Sequence, residues 1–181
     1  MPRHAALLAS VILISACNST SPDASMTLPS GTHQSVLTPA DGGAGIGGVS
    51  VTPNAVAGGY FDATIKVRLA RALPNTTYFI QRAPEIGRTL ASDGICQRAL
   101  GLAPWSPADP PAPAFITFMS PGTTTPISLT TSATGDASVD FNFQAPMIPA
   151  GTRFDVMFRL VKDLSAPTSA YLSGCFTVTV L

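Results

Sequence analysis

Residues 60 to 71 read YFDATIKVRLAR. Phe61, Ala63, Ile65, Val67 and Leu69 occupy every second position, with Asp62, Thr64, Lys66 and Arg68 between them. Successive side chains of an extended chain point to opposite faces, so this spacing sets an apolar stripe against a charged one. It predicts a half-buried β-strand. The same period returns at Ala137 to Gln144, where Val139, Phe141 and Phe143 alternate with Asp140, Asn142 and Gln144. It returns again at Phe154, Val156, Phe158 and Leu160, and in the last run, Cys175 to Leu181.

Shorter runs at Thr76 to Arg82, Ala114 to Met119 and Ile127 to Ser132 fit between these. Turn residues separate them: Pro74-Asn75, Ser120-Pro121-Gly122, Thr134-Gly135-Asp136 and Pro149-Ala150-Gly151. All nine phenylalanines fall inside the predicted strands, as a core between facing sheets requires. From Val49 onwards no ten-residue window shows a 3.6-residue period free of Gly and Pro. The expectation is an all-β domain over residues 49–181, an antiparallel β-sandwich of about seven or eight strands, with a small β-barrel as the alternative. In strand length and turn spacing the region resembles the immunoglobulin-like and fibronectin-like domains of bacterial surface proteins. It departs from the antibody pattern at Trp105, which is flanked by prolines, and at Tyr171, which precedes Cys175 by four residues.

Composition narrows function. Ten Lys+Arg balance ten Asp+Glu in 181 residues, which leaves no surplus of positive charge for a nucleic acid. Apolar residues make up 45% and charged residues 11%, the balance of a chain that buries a core.

The first residues, MPRHAALLASVILISAC, place Arg3 before an apolar run from Ala5 to Ile14. That run is shorter than the ~20 residues a helix needs to span a bilayer, and has the length of a signal-peptide core. It ends in Ile14-Ser15-Ala16-Cys17, which resembles the lipobox of bacterial lipoproteins. The resemblance implies cleavage after residue 16, a thioether-linked diacylglyceryl group on Cys17 and acylation of the new amino group. Two or three acyl chains hold a protein to a membrane where one does not. Asn18 follows the cysteine in place of an aspartate, which favours the outer membrane if the organism has two.

Residues 17–48 are rich in Ser, Thr, Pro, Ala and Gly, and no apolar period survives four residues there. They read as a flexible tether, ~30 Å across for about thirty residues. His33, the one histidine outside the signal, falls in it and reads as a solvated linker residue.

With Cys17 assigned to lipid, Cys96 and Cys175 remain as a pair, which in an exported domain reads as a disulfide. Free thiols or soft metal ligands are the alternative. The domain's poverty in acid–base groups argues against an enzyme: no histidine beyond His33, one glutamate (Glu85), and Asp140 and Asp155 at outward strand positions. Lys66 and Lys162 likewise read as solvated, and no metal or cofactor is expected. Residues 101–113, GLAPWSPADPPAP, stiffen the only tryptophan between prolines, so Trp105 is the candidate ligand contact. The functional expectation is a lipid-anchored binding module of the cell envelope. It is joined to the membrane by its acyl chains and meets an envelope protein or glycan. The alternative is a structural spacer or assembly component.

Overall fold

The computed structural model describes residues 29–88, 90–102 and 114–181. The alternating stretch that opens the sequence reading is the third of ten strands: β1 (His33–Pro39), β2 (Ile46–Pro53), β3 (Tyr60–Ala70), β4 (Thr77–Pro84), β5 (Ile116–Thr117), β6 (Ser128–Thr130), β7 (Ala137–Pro149), β8 (Arg153–Val161), β9 (Ser169–Ser173) and β10 (Phe176–Thr179). One short helix, α1 (Gln97–Leu100), lies between β4 and β5. The fold is all-β and antiparallel, as the alternation predicts.

The strands form a single sheet in the order β5-β4-β8-β9-β1-β2-β3-β7, with β10 beside β8 and β6 beside β4. Register turns sequence alternation into apolar rows. Val51, Ile65 and Phe141 are direct neighbours across β2, β3 and β7, and Val49, Val67 and Val139 form the next row. The sheet curls into a half-barrel, so its two halves face each other like the layers of a sandwich. Phe61 on β3 meets Phe154 on β8 edge-on at 5.4 Å. Tyr78 on β4 meets Tyr171 on β9 at 5.6 Å. The halves stay one hydrogen-bonded sheet because β1 pairs with β9, Leu37 opposite Ser173.

Residues 33–48 belong to this sheet and not to a tether, which corrects the boundary expected at Val49. The reason is visible in the side chains. Leu37 is the one large apolar residue that β1 buries, and β2 carries Gly47 and Gly48 where larger residues would signal a strand. A Cβ on Gly47 would lie 2.5 Å from the Arg68 carbonyl oxygen and 2.7 Å from Leu69 Cδ2, so the close approach of β2 to β3 excludes any side chain there. β1 is held by backbone hydrogen bonds on both edges, which apolar periodicity does not report. His33 opens β1 opposite Val51, and burial pushes its pKa below the ordinary value.

β7 outruns its predicted end at Gln144, passing through Pro146 to Pro149. It lies at the end of the strand order, where a residue without an amide proton costs no ladder bond. The predicted turn at Gly135 is made with φ +83°, and its Cα sits against the Ala72 backbone too closely for a side chain.

The Tyr171 hydroxyl donates to the Ala44 carbonyl at 2.7 Å. Burial, and then the neighbouring Tyr78, hold its pKa at about 12 against an ordinary 10.0. The native state therefore keeps this proton more tightly than the unfolded chain does. Its contribution is complete below pH 10.0 and is lost as pH rises towards about 12. Urea midpoints measured across that window should fall with pH, and Tyr171→Phe should flatten the fall.

Candidate functional site

The half-barrel does not close by hydrogen bonds. Its free edges are β7 on one side and β5 with β6 on the other, and side chains fill the seam between them. Phe118, just after β5 and 1% exposed, packs edge-on against Phe141 at 5.0 Å and Phe143 at 5.2 Å, both on β7. It also stacks on Phe158 of β8 at 5.8 Å, and Phe158 in turn stacks on Phe176 of β10 at 5.9 Å. Behind this cluster lies a cavity of about 70 Å³, walled by residues that include Val51, Phe61, Ile148, Phe154 and Val178.

Among the described residues, one charged side chain lines that cavity. On β4, Tyr78, Ile80 and Arg82 share the inward parity, so Arg82 is aimed at the apolar side. Its guanidinium carbon lies 4.3 Å from the Phe118 ring centre and 4.2 Å from that of Phe143. These rings attract a cation through their faces but accept no conventional hydrogen bond. Among the described residues no carboxylate or carbonyl accepts from the Arg82 guanidinium. Burial, and then the like charge of Arg98, lower its pKa to about 10, so it remains a cation at neutral pH.

The outer face of β4 and β8 is covered by the excursion 85–101. Two fully buried carboxylates organise it. Glu85 accepts from the Arg98 amide at 2.5 Å and from Arg88 Nη1 at 2.9 Å. Asp155 accepts from the Gly94 amide at 2.6 Å and from the Thr177 hydroxyl at 2.6 Å. Alternation along β8 places Asp155 at an outward position, where solvent is expected. It does point away from the main core, but the excursion folds over it. Arg98 Nη1 donates to the Pro84 carbonyl at 3.0 Å, while its Nε is buried with no acceptor. Also on this outer face, Arg159 donates to Gln81 at 2.5 Å and lies 4.2 Å from the Phe115 ring centre.

Cys96 and Cys175 form the disulfide, with Cα atoms 5.6 Å apart and a sequence separation of 79. It ties the excursion to the start of β10 and packs with Ala83, Ala99 and Met157 in a second small core. Cys17 and Trp105 lie outside the described residues. Asp136 accepts from the Arg71 amide, and Asp140 pairs with Lys66 at 3.2 Å on the surface. Among the described residues no three His, Cys, Asp or Glu side chains cluster as metal ligands. A broad surface depression of about 660 Å³ lies over Ile46 to Gly48, Arg68 and Asp136, where the two glycines leave β2 bare.

Arg82 is the residue that the sequence reading passed over, although a charged side chain sharing parity with Tyr78 and Ile80 was a legible signal. The aromatic seam itself was not legible, since it depends on which strands end up at the two edges. No protein-family model, curated protein or solved structure matches the chain.

Opening the disulfide should cost about 2–5 kcal/mol. The Cys96→Ala, Cys175→Ala double variant should show that loss in urea unfolding. The unreduced, unfolded domain should contain no titratable thiol from either position.

Proposed function

We propose that the chain is an exported, lipid-anchored lipoprotein of a bacterial cell envelope, whose β domain is a binding module with the aromatic seam as its binding site. The anchoring part rests on Ile14-Ser15-Ala16-Cys17 and the apolar run before it. The binding part is carried by one observation: Arg82, a cation stacked on two aromatic rings and given no hydrogen-bond acceptor among the described residues, lines an apolar cavity. Arg82 is half-buried, and a guanidinium stacked on rings gives up part of its hydration, whereas an apolar residue of similar volume serves packing alone as well or better. A spacer gains nothing from such a residue. A ligand site does.

The reading is non-catalytic, which fits the commitment of Glu85 and Asp155 to donors that hold the excursion in place. Trp105 is proposed as a second contact. The segment that carries it leaves and rejoins the described structure at α1: Leu102 donates to the Gln97 carbonyl, and Ala114 to that of Arg98.

Two experiments test the two parts. Cys17→Ser should move the protein to the soluble envelope fraction or leave it unprocessed. An unmodified Cys17, or cleavage elsewhere, in mass spectra of the wild-type N-terminus would remove the anchor. Trp105 emission should be red-shifted and quenchable, with Trp105→Ala changing stability little. Blue emission together with a loss of ~3–5 kcal/mol in that variant would make Trp105 a core residue.

A further inference from the structure

We propose that the seam cavity binds a free short-chain alkyl carboxylate, its head group on Arg82 and its chain among Phe61, Phe154, Phe158 and Val178. The inference rests on the seam being a binding site and adds the chemistry of its occupant. The wall selects the chain, because every described lining residue except Arg82 is apolar. The charge selects the head. Arg82 is fixed against two rings, with its N–H donors unclaimed among the described residues. A planar guanidinium matches a carboxylate with two parallel hydrogen bonds.

The charged neighbour that acts on Arg82 is Arg98, which has the same sign and a buried Nε without an acceptor. An anion relieves that repulsion, whereas a neutral head group leaves both cations as they are. A single negative charge suits the site better than a phosphate dianion, since Arg82 is the one cation lining it among the described residues. Size sets the chain length. A cavity of about 70 Å³ is roughly half of one that admits benzene, which limits the buried part to about three to five carbons. This favours a free acid over the long acyl chain of a membrane lipid.

The test uses the full chain and calorimetric titration with butyrate, valerate and hexanoate, each against the alcohol of equal length. The acids should tighten about fourfold per added methylene until the cavity is full. Each should bind about 10- to 100-fold more tightly than its alcohol, the range for a hydrogen bond to a charged group. Arg82→Met keeps the aliphatic stem and should bring acid and alcohol to within about twofold of each other. Arg82→Lys keeps the charge without the planar fork and should retain part of the preference, which covers the case in which the methionine variant fails to fold.

Equal binding of acid and alcohol by the wild-type chain would overturn the carboxylate inference while leaving the seam a binding site. No binding of either at millimolar concentration would overturn both. Arg82-dependent binding to phosphatidylglycerol vesicles, with no binding of the free acids, would make the occupant a lipid and overturn the inference too.

Discussion

Phe118 is where the curled sheet closes. A sheet bent into a half-barrel leaves two free edges, and their inner faces lose water only if something bridges the gap. Here one ring touches Phe141 and Phe143 on one edge and Phe158 on the facing half, with the Arg82 guanidinium over it. Packing by rings tolerates an imperfect fit in a way that a hydrogen-bonded ladder does not. The ladder would fix the strand spacing near 4.8 Å. Side-chain closure leaves the small apolar space behind the seam and allows a cation to sit at its edge. The structure and the proposed site therefore follow from the same choice of closure.

The outer layer solves a different problem. β4 and β8 carry Gln81, Ala83, Asp155 and Arg159 on the face away from the main core, and Glu85 follows directly after β4. Residues 85–101 cover that face, and little apolar surface is gained there beyond the cluster around Cys96 and Met157. Directional bonds make up the difference. Buried carboxylates accept backbone amides at Arg98 and Gly94, the disulfide fixes Cys96 to Cys175, and Arg159 is held by Gln81 and by the Phe115 ring. Removing either carboxylate would strand backbone donors in a dry layer, so these acids are structural by position. The same layer brings Arg98 close enough to Arg82 to act on it, which links the excursion to the seam.

How much of this the sequence disclosed depends on what holds each element. β3, β7 and β8 are held by apolar side chains on one face, and alternation reports them directly, as at Phe61 to Leu69 and Phe154 to Leu160. β1 and β9 are held mainly by pairing along both edges. Serines stand at partly or fully buried positions in them, Ser35 in one and Ser173 in the other, so no period appears and β1 reads as linker. Ser173 is functional in the fold, since its hydroxyl accepts the Phe158 amide at 2.8 Å. The disulfide was legible from cysteine arithmetic alone. Arg82 was half legible, from parity, whereas its meaning required Phe118 and Phe143 to be brought together from 25 residues apart in sequence across two free edges.

The placement of β1 also changes the geometry of the proposed anchor. If the domain begins at His33, the connection from Cys17 has about half the length read from composition, and a coil of that length spans ~20–24 Å. The end of the barrel to which it connects is defined by the structure. His33 pairs with Val51, and the Thr32 and Thr52 hydroxyls lie 2.8 Å apart. Val51 lines the cavity, as do residues near the start of β3 and β8 and the end of β7 and β10: Phe61, Phe154, Ile148 and Val178. The cavity is thus at the end where the chain enters, while the bare Gly47 and Gly48 surface lies towards the other end of β2 and β3.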